Sequence, residues 1–223
     1  MRCVSAVLPE ALHLVDDLVA KGVIRSPAVK RAFQTVPRQL FVPEVPIRRA
    51  YRDEVVPLKW RGQELISSLS QPAIMAEMLE LLELEPGLRV LEIGTGSGYD
   101  AALISNIVGK TGSVTSVEID GEIAAAARAH LATVGFDMVH VITGDGFEGF
   151  SAAAPYDRII VTAAVRGVPP AWVEQMAPGA RLVAPLEEST GQHVVSFDLV
   201  DGRLVMRRAV PCVFMPLRHP DTQ

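Results

Sequence analysis

The run Arg89-Val90-Leu91-Glu92-Ile93-Gly94-Thr95-Gly96-Ser97-Gly98-Tyr99 constrains this chain more than any other stretch. Val90 to Ile93 has strand character, three glycines follow at alternate positions, and Asp100 to Ser105 can continue as a helix. Strand, tight glycine turn and helix start, in that order, let a ligand approach backbone N–H groups without meeting a β-carbon. A nucleotide-like cofactor is therefore expected at this turn.

Glycine spacing decides among cofactors. A dinucleotide fingerprint needs glycine at its first, third and sixth positions, and the sixth position counted from Gly94 is Tyr99. The close approach of helix to pyrophosphate is thereby spoiled, which makes NAD the weaker reading. Glu92, two residues before the first glycine, adds a carboxylate that suits a cationic amino group and repels a pyrophosphate. The pattern E-x-G-x-G-x-G resembles the cofactor loop of class I S-adenosylmethionine-dependent methyltransferases.

A length of 223 residues and a hydrophobic content of 49% suit one domain with a sizeable core. A net charge of −5 without a basic run argues against tight nucleic-acid binding, because phosphate neutralisation needs clustered Lys and Arg. No basic-headed signal peptide opens the chain and no apolar run approaches the length of a membrane span, so a cytoplasmic protein without membrane association is expected. Cys3 and Cys212 make neither a disulfide framework nor a metal pair, and His13, His130, His140, His193 and His219 show no ligand spacing. Neither metal nor disulfide is predicted.

In chain order, Leu12, Val15 and Val19 form a helical stripe that stops at Gly22, and Ser26-Pro27 reads as cap and first position of a second helix ending near Pro37. Pro43, Pro46 and Pro57 break the segment from Pro37 to Gln63 into an irregular connector. Ser70 is a plausible N-cap for a helix whose apolar side holds Ile74, Met75, Met78, Leu79 and Leu82. Beyond the glycine loop, Ser113 to Glu118 is a second strand whose terminal Glu118 is placed to accept ribose hydroxyls. A helix from Glu122 to Val134 leads to a third strand, Met138 to Thr143, and then to the turn Gly144-Asp145-Gly146. Arg158 to Thr162 is a fourth strand with the continuous apolar character of a doubly buried parallel strand. Pro169-Pro170 starts a helix carrying Trp172 and Met176 that Pro178-Gly179 stops, and Arg181 to Leu186 is a fifth strand. Val194 to Val200 and Arg203 to Arg207, joined by Asp201-Gly202, form a hairpin. The alternation predicts a doubly wound α/β protein: a mostly parallel Rossmann-like sheet with an antiparallel C-terminal hairpin and an N-terminal helical and irregular extension. Residues 1–223 read as one domain, with 1–70 as helices and substrate-loop segment and 71–218 as the cofactor-binding core.

Val36-Pro37-Arg38, Phe41-Val42-Pro43, Ala50-Tyr51-Arg52-Asp53, Gly62-Gln63 and Ser70-Gln71-Pro72 follow one another ahead of the glycine loop. Gly144-Asp145-Gly146, Pro155-Tyr156-Asp157, Val161-Thr162-Ala163-Ala164 and Phe214-Met215-Pro216-Leu217 follow it. In this order the motifs resemble the protein-L-isoaspartate O-methyltransferase family over about residues 8 to 218. The resemblance implies methyl transfer from S-adenosyl-L-methionine to the α-carboxylate of L-isoaspartyl residues in damaged proteins or peptides, opening repair through a succinimide, by an enzyme expected to be monomeric. It implies a substrate role for Ser70, and cofactor contacts for Glu92, Gly94, Thr95, Gly96, Ser97, Gly98, Glu118, Asp145 and Gly146, with Asp145 beside the adenine. In one place the chain departs from the common pattern: Glu64 to Leu69 lengthen the loop before Ser70 by three residues, so Ser68 could share or replace its role. That loop leaves open an aspartate O-methyltransferase that tailors a ribosomally made peptide; a noncatalytic cofactor-binding protein is the more distant alternative.

Overall fold

The computed structural model describes residues 7–189 and 191–219. Cys3 and the end of the polar tail lie outside the described residues; Cys212 is a free thiol.

Helix α1 (Pro9–Ala20) buries Leu14, Val15 and Leu18, and Gly22 follows it at φ +70. The Ser26 hydroxyl caps α2 (Pro27–Thr35) by accepting from Val29 N–H at 3.2 Å. The proline-spaced segment is not irregular throughout. It holds a 3-10 turn (Arg38–Phe41) and the short α3 (Ile47–Ala50), and it ends in strand β1 (Val56–Arg61). The expected loop from Glu64 to Leu69 is strand β2 (Glu64–Leu69), antiparallel to β1 with Arg61 opposite Glu64. Gly62 at φ +59 supplies the first residue of the two-residue turn, which is the backbone such a hairpin needs.

Helix α4 (Pro72–Leu82) begins one residue later than a Ser70 cap would put it; Gln71 occupies the cap position and its side chain makes no capping bond. Asp53 does this work from a distance, accepting from Ala73 N–H at 2.8 Å. Strand β3 (Arg89–Ile93), helix α5 (Tyr99–Val108), β4 (Ser113–Glu118), α6 (Gly121–Val134), β5 (His140–Thr143) and β6 (Tyr156–Val161) follow. Helix α7 (Pro170–Glu174) is shorter than the sequence suggests, because Met176 already belongs to β7 (Met176–Glu188). Pro178 and Gly179 form a bulge in β7 instead of a helix stop: Tyr156 pairs with Met176 but Arg158 with Arg181. β8 (Gly191–Val200) and β9 (Arg203–Cys212) complete the hairpin across Asp201 and Gly202, both at positive φ.

Apart from the β1-β2 hairpin, strands β3 to β9 make one seven-stranded sheet in the order β5-β4-β3-β6-β7-β8-β9, parallel up to β7 and antiparallel beyond. One face packs Val90, Val114, Ile160 and Val183 with α1, α2, α4, α5 and α6. The other packs Leu91, Ile93, Ile159, Val161 and Leu182 with Trp172 of α7. From β3 the chain winds outward through β4 and β5, then returns to β6 on β3's other side. The carboxyl ends of β3 and β6 therefore flank the switch point, where open α/β sheets bind ligands. No helix among the described residues is long and apolar enough to cross a membrane.

Candidate active site

A cavity of about 720 Å³ opens at that switch point. Its floor is the glycine loop, Ile93 to Ser97, with Thr162 and Ala163 from the end of β6. Ser67, Ser68, Leu69 and Ser70 roof it on one side, and residues 211–218 on the other. The second roof is tied down by paired backbone bonds of 2.8 Å, Ala164 N–H to Met215 O and Leu217 N–H to Ala164 O.

Each glycine of the loop answers a different neighbour. At Gly94 (φ +96) a β-carbon would overlap Thr162 Oγ1, whose hydroxyl donates to Gly94 O at 2.7 Å. At Gly96 (φ +52) a β-carbon would lie 3.6 Å from Ser68 O and 3.8 Å from Leu58 Cδ1, in the gap between loop and hairpin. Gly98 does not line the cavity; its α-carbon packs on α6, 3.2 Å from Leu131 Cγ as measured from an added β-carbon. Tyr99, in the third fingerprint position, is a packing residue: its ring meets Phe33 and Phe41 edge-on and lies 5.0 Å beneath the Arg38 guanidinium.

Glu118 stands at the end of β4 on the cavity wall, accepting from Gly96 N–H at 3.0 Å and Asp120 N–H at 3.2 Å. Burial raises its pKa above the ordinary carboxylate range. Gly146 lines the cavity, whereas the Asp145 carboxylate beside it caps a 3-10 turn through Phe147 N–H at 2.9 Å and faces His219 Nε2 at 3.6 Å. Glu92 is fully buried behind the floor and not on it; the Ser116 hydroxyl donates to its Oε2, and Thr95 Oγ1 lies 2.6 Å from that hydroxyl.

Ser68 and Ser70 both border the cavity. Ser70 is held through its carbonyl, which accepts from Arg38 Nη2 at 2.8 Å; the same guanidinium donates from Nε to Ala50 O at 2.8 Å. Arg38 is fully buried, so this clamp ties the 3-10 turn, α3 and the Ser-Gln-Pro corner into one unit. The hairpin is pinned by Lys59, whose ammonium lies 2.7 Å from Asp120 and 2.8 Å from Glu122 at the start of α6.

Sequence reasoning passed over Asp100. It is the second residue of α5, lines the cavity, and is only 7% exposed. Among the described residues, five buried polar atoms have no hydrogen-bond partner: Asp100 Oδ1, Ser97 Oγ, Tyr99 Oη, Glu92 Oε1 and His193 Nδ1. Such atoms are costly unless something completes them, and three of the five belong to residues lining the cavity, Ser97, Tyr99 and Asp100. The signal available in the sequence was weak, an acidic residue in the first turn of a helix that opens on glycines.

Residues 10–221 match the family model described as Protein-L-isoaspartate(D-aspartate) O-methyltransferase (PCMT). A protein-L-isoaspartate O-methyltransferase of Hyperthermus butylicus is 42% identical over 92% of this chain and 87% of its own length. One of Pyrobaculum neutrophilum is 40% identical over 94% of this chain and 99% of its own. A solved protein-L-isoaspartate O-methyltransferase superposes with TM-score 0.86 at 34% identity, over 94% of this chain and 66% of that one.

Proposed function

The chain belongs to the protein-L-isoaspartate(D-aspartate) O-methyltransferase family, and we infer that its cavity is where a methyl group passes from S-adenosylmethionine to the α-carboxylate of an L-isoaspartyl residue. It is an S-adenosylmethionine-dependent methyltransferase whose substrates are damaged proteins or peptides, and the methyl ester it makes opens repair through a succinimide. The observation that supports the site assignment is that Ser68, Ser70 and the glycine loop line one cavity at the switch point.

The cavity suits a nucleoside joined to an amino acid. Gly94 and Gly96 give backbone without β-carbons, Glu118 offers acceptor oxygens at the end of β4, and Ser97 and Asp100 bring unpartnered polar atoms. When bound, S-adenosylmethionine supplies an electrophilic methyl carbon on a positively charged sulfur. In this reading the glycine loop, Thr95 and Ser97 hold its amino-acid end, with the Glu92 carboxylate behind them. Glu118 accepts from the ribose hydroxyls, and Gly146 and Asp145 border the adenine. In this reading residues 71–218 supply the cofactor-binding core, and the described residues up to 70 the segment that meets substrate.

The acceptor needs little activation. An α-carboxylate titrating near its ordinary value of about 4 is ionised at neutral pH and requires no general base. What the protein contributes is orientation, which in favourable systems lowers a barrier by up to about 7–11 kcal/mol. In this reading Ser70 and Ser68 donate to the carboxylate; what supports it is that both border the cavity and that Arg38 holds Ser70 by its carbonyl and not its hydroxyl.

Methyl transfer from labelled S-adenosylmethionine to two short peptides, identical except for L-isoaspartate or L-aspartate, tests this function. Base-labile methyl ester on the isoaspartyl peptide alone is the expected result. Transfer to the aspartyl peptide, or to neither, would turn the assignment toward a dedicated peptide substrate.

A further inference from the structure

Two carboxylates are buried around the glycine loop, Glu92 behind it and Asp100 at the cavity wall. Glu92 on β3 and Asp100 on α5 are close enough that Asp100's charge raises the pKa of Glu92. Their surroundings do not neutralise both. Arg38, fully buried, is the cation facing Asp100; it is held by Ala50 O and Ser70 O and stacked over Tyr99, and forms no ion pair of its own within 4 Å among the described residues. Tyr99, Tyr51 and Asp53 adjoin that guanidinium, and Tyr99, whose hydroxyl has no hydrogen-bond partner, also lies near Asp100; among the described residues the Ser116 hydroxyl and a third carboxylate, Glu118, come toward Glu92. One buried cation thus faces two buried carboxylates, each with an unpartnered oxygen. Only the Asp100 side borders the cavity.

We propose that Asp100 receives the cationic methionine end of the cofactor, and that it shares with Glu92 a proton which cofactor binding expels. The inference rests on the S-adenosylmethionine reading and deepens it. It moves the contact expected of Glu92 one layer forward, onto a residue with a free oxygen at the cavity wall, and leaves Glu92 as the proton's other holder. Two neighbouring buried carboxylates cannot both ionise cheaply, so without a ligand the pair retains a proton. Burial lifts Asp100 to about 7, partly offset by Arg38. Arrival of a positive charge reverses the balance: the O–H bond of the protonated carboxyl breaks, the proton leaves to solvent, and the carboxylate keeps the electron pair beside the cation. Cofactor affinity then falls with acidity, by about tenfold per pH unit once Asp100 is mostly protonated.

Calorimetric titration of the purified protein at pH 6, in two buffers of different ionisation enthalpy, counts the protons exchanged. The cofactor's own amine is fully protonated there. S-adenosylmethionine should release roughly 0.9 proton from a group titrating near 7. 5′-Methylthioadenosine, which lacks both the sulfonium charge and the amino-acid end, should bind without release. Asp100→Asn should abolish the release and weaken S-adenosylmethionine about 10- to 100-fold, as loss of a charge-assisted contact does, while binding 5′-methylthioadenosine like the wild type. Binding of S-adenosylmethionine to the wild type without proton release overturns the proposal, whether or not the variant folds. So does release that persists in Asp100→Asn. If 5′-methylthioadenosine and S-adenosylmethionine both fail to bind the wild type, the cofactor reading itself falls, and this inference with it.

Discussion

Gly94 and Gly96 belong to one motif, yet a side chain would fail at each for a different reason. At Gly94 the obstacle is inside the protein, the Thr162 hydroxyl that bridges the ends of β3 and β6. At Gly96 the space is open apart from ordinary contacts with Ser68 O and Leu58, so the constraint there is the positive φ and the gap that a ligand needs. Gly96→Val is expected to leave a folded protein that has lost cofactor binding; calorimetry with S-adenosylmethionine checks this, and unchanged affinity would remove the loop from the site. For Ser70 the structure removes one competing role, since Gln71 and not Ser70 occupies the α4 cap position. Ser70→Ala should therefore lower kcat for isoaspartyl peptide by about 10- to 100-fold, equivalent to about 1.5–3 kcal/mol for a hydrogen bond to a charged group, with cofactor affinity and thermal stability nearly unchanged. A drop in stability without a drop in turnover would make the serine structural.

At the scale of elements, the roof of the site is assembled from parts that have no contact in sequence. Arg38 reaches Ala50 and Ser70, Asp53 caps α4 at Ala73, and Glu80 of α4 accepts from Arg25 N–H, Ser26 N–H and the Ser26 hydroxyl. The glutamates of α4 are thus not a solvated face; they dock the turn between α1 and α2. Removing the guanidinium with Arg38→Met would leave the Ala50 and Ser70 carbonyls buried and unpaired, at about 1–3 kcal/mol each. We expect a lowered denaturant midpoint together with reduced kcat, because the Ser-Gln-Pro corner loses its anchor. A variant that is less stable but turns over normally would show that Ser70 holds its place without Arg38.

Across the whole molecule, buried acids in the cavity region set the response to pH. Burial raises Glu92, Asp100 and Glu118 above their unfolded values, with neighbouring carboxylates adding to it at Glu92 and Glu118, so the folded state binds more protons than the unfolded one between those values. By linkage their contribution to stability is full at acid pH and is lost as pH rises, for Asp100 from about 4 to about 7. Asp198, beside Arg181 and Arg207, and Asp120, beside Lys59, are lowered and act oppositely: their contribution is present above the ordinary aspartate range and lost as pH falls below it. Without cofactor, Tm measured from pH 5 to pH 8 should fall, and Asp100→Asn should flatten the slope; a Tm that rises across that range contradicts this balance. How much of this could be read beforehand depends on range. The Ser26 cap, the positive-φ glycines after α1 and α6, the Asp201-Gly202 hairpin and the strand–glycine–helix run at residue 89 are decided by neighbours a few residues apart, and the sequence alone determined them and, through their alternation, the α/β fold. Tertiary structure decided that Glu64 to Leu69 form a strand, that Pro178-Gly179 bulge a strand instead of ending a helix, that Asp53 caps a helix 20 residues away, and that Asp100 rather than Glu92 borders the cavity. Those outcomes turn on burial and on partners distant along the chain, and neither local propensity nor spacing carries that information.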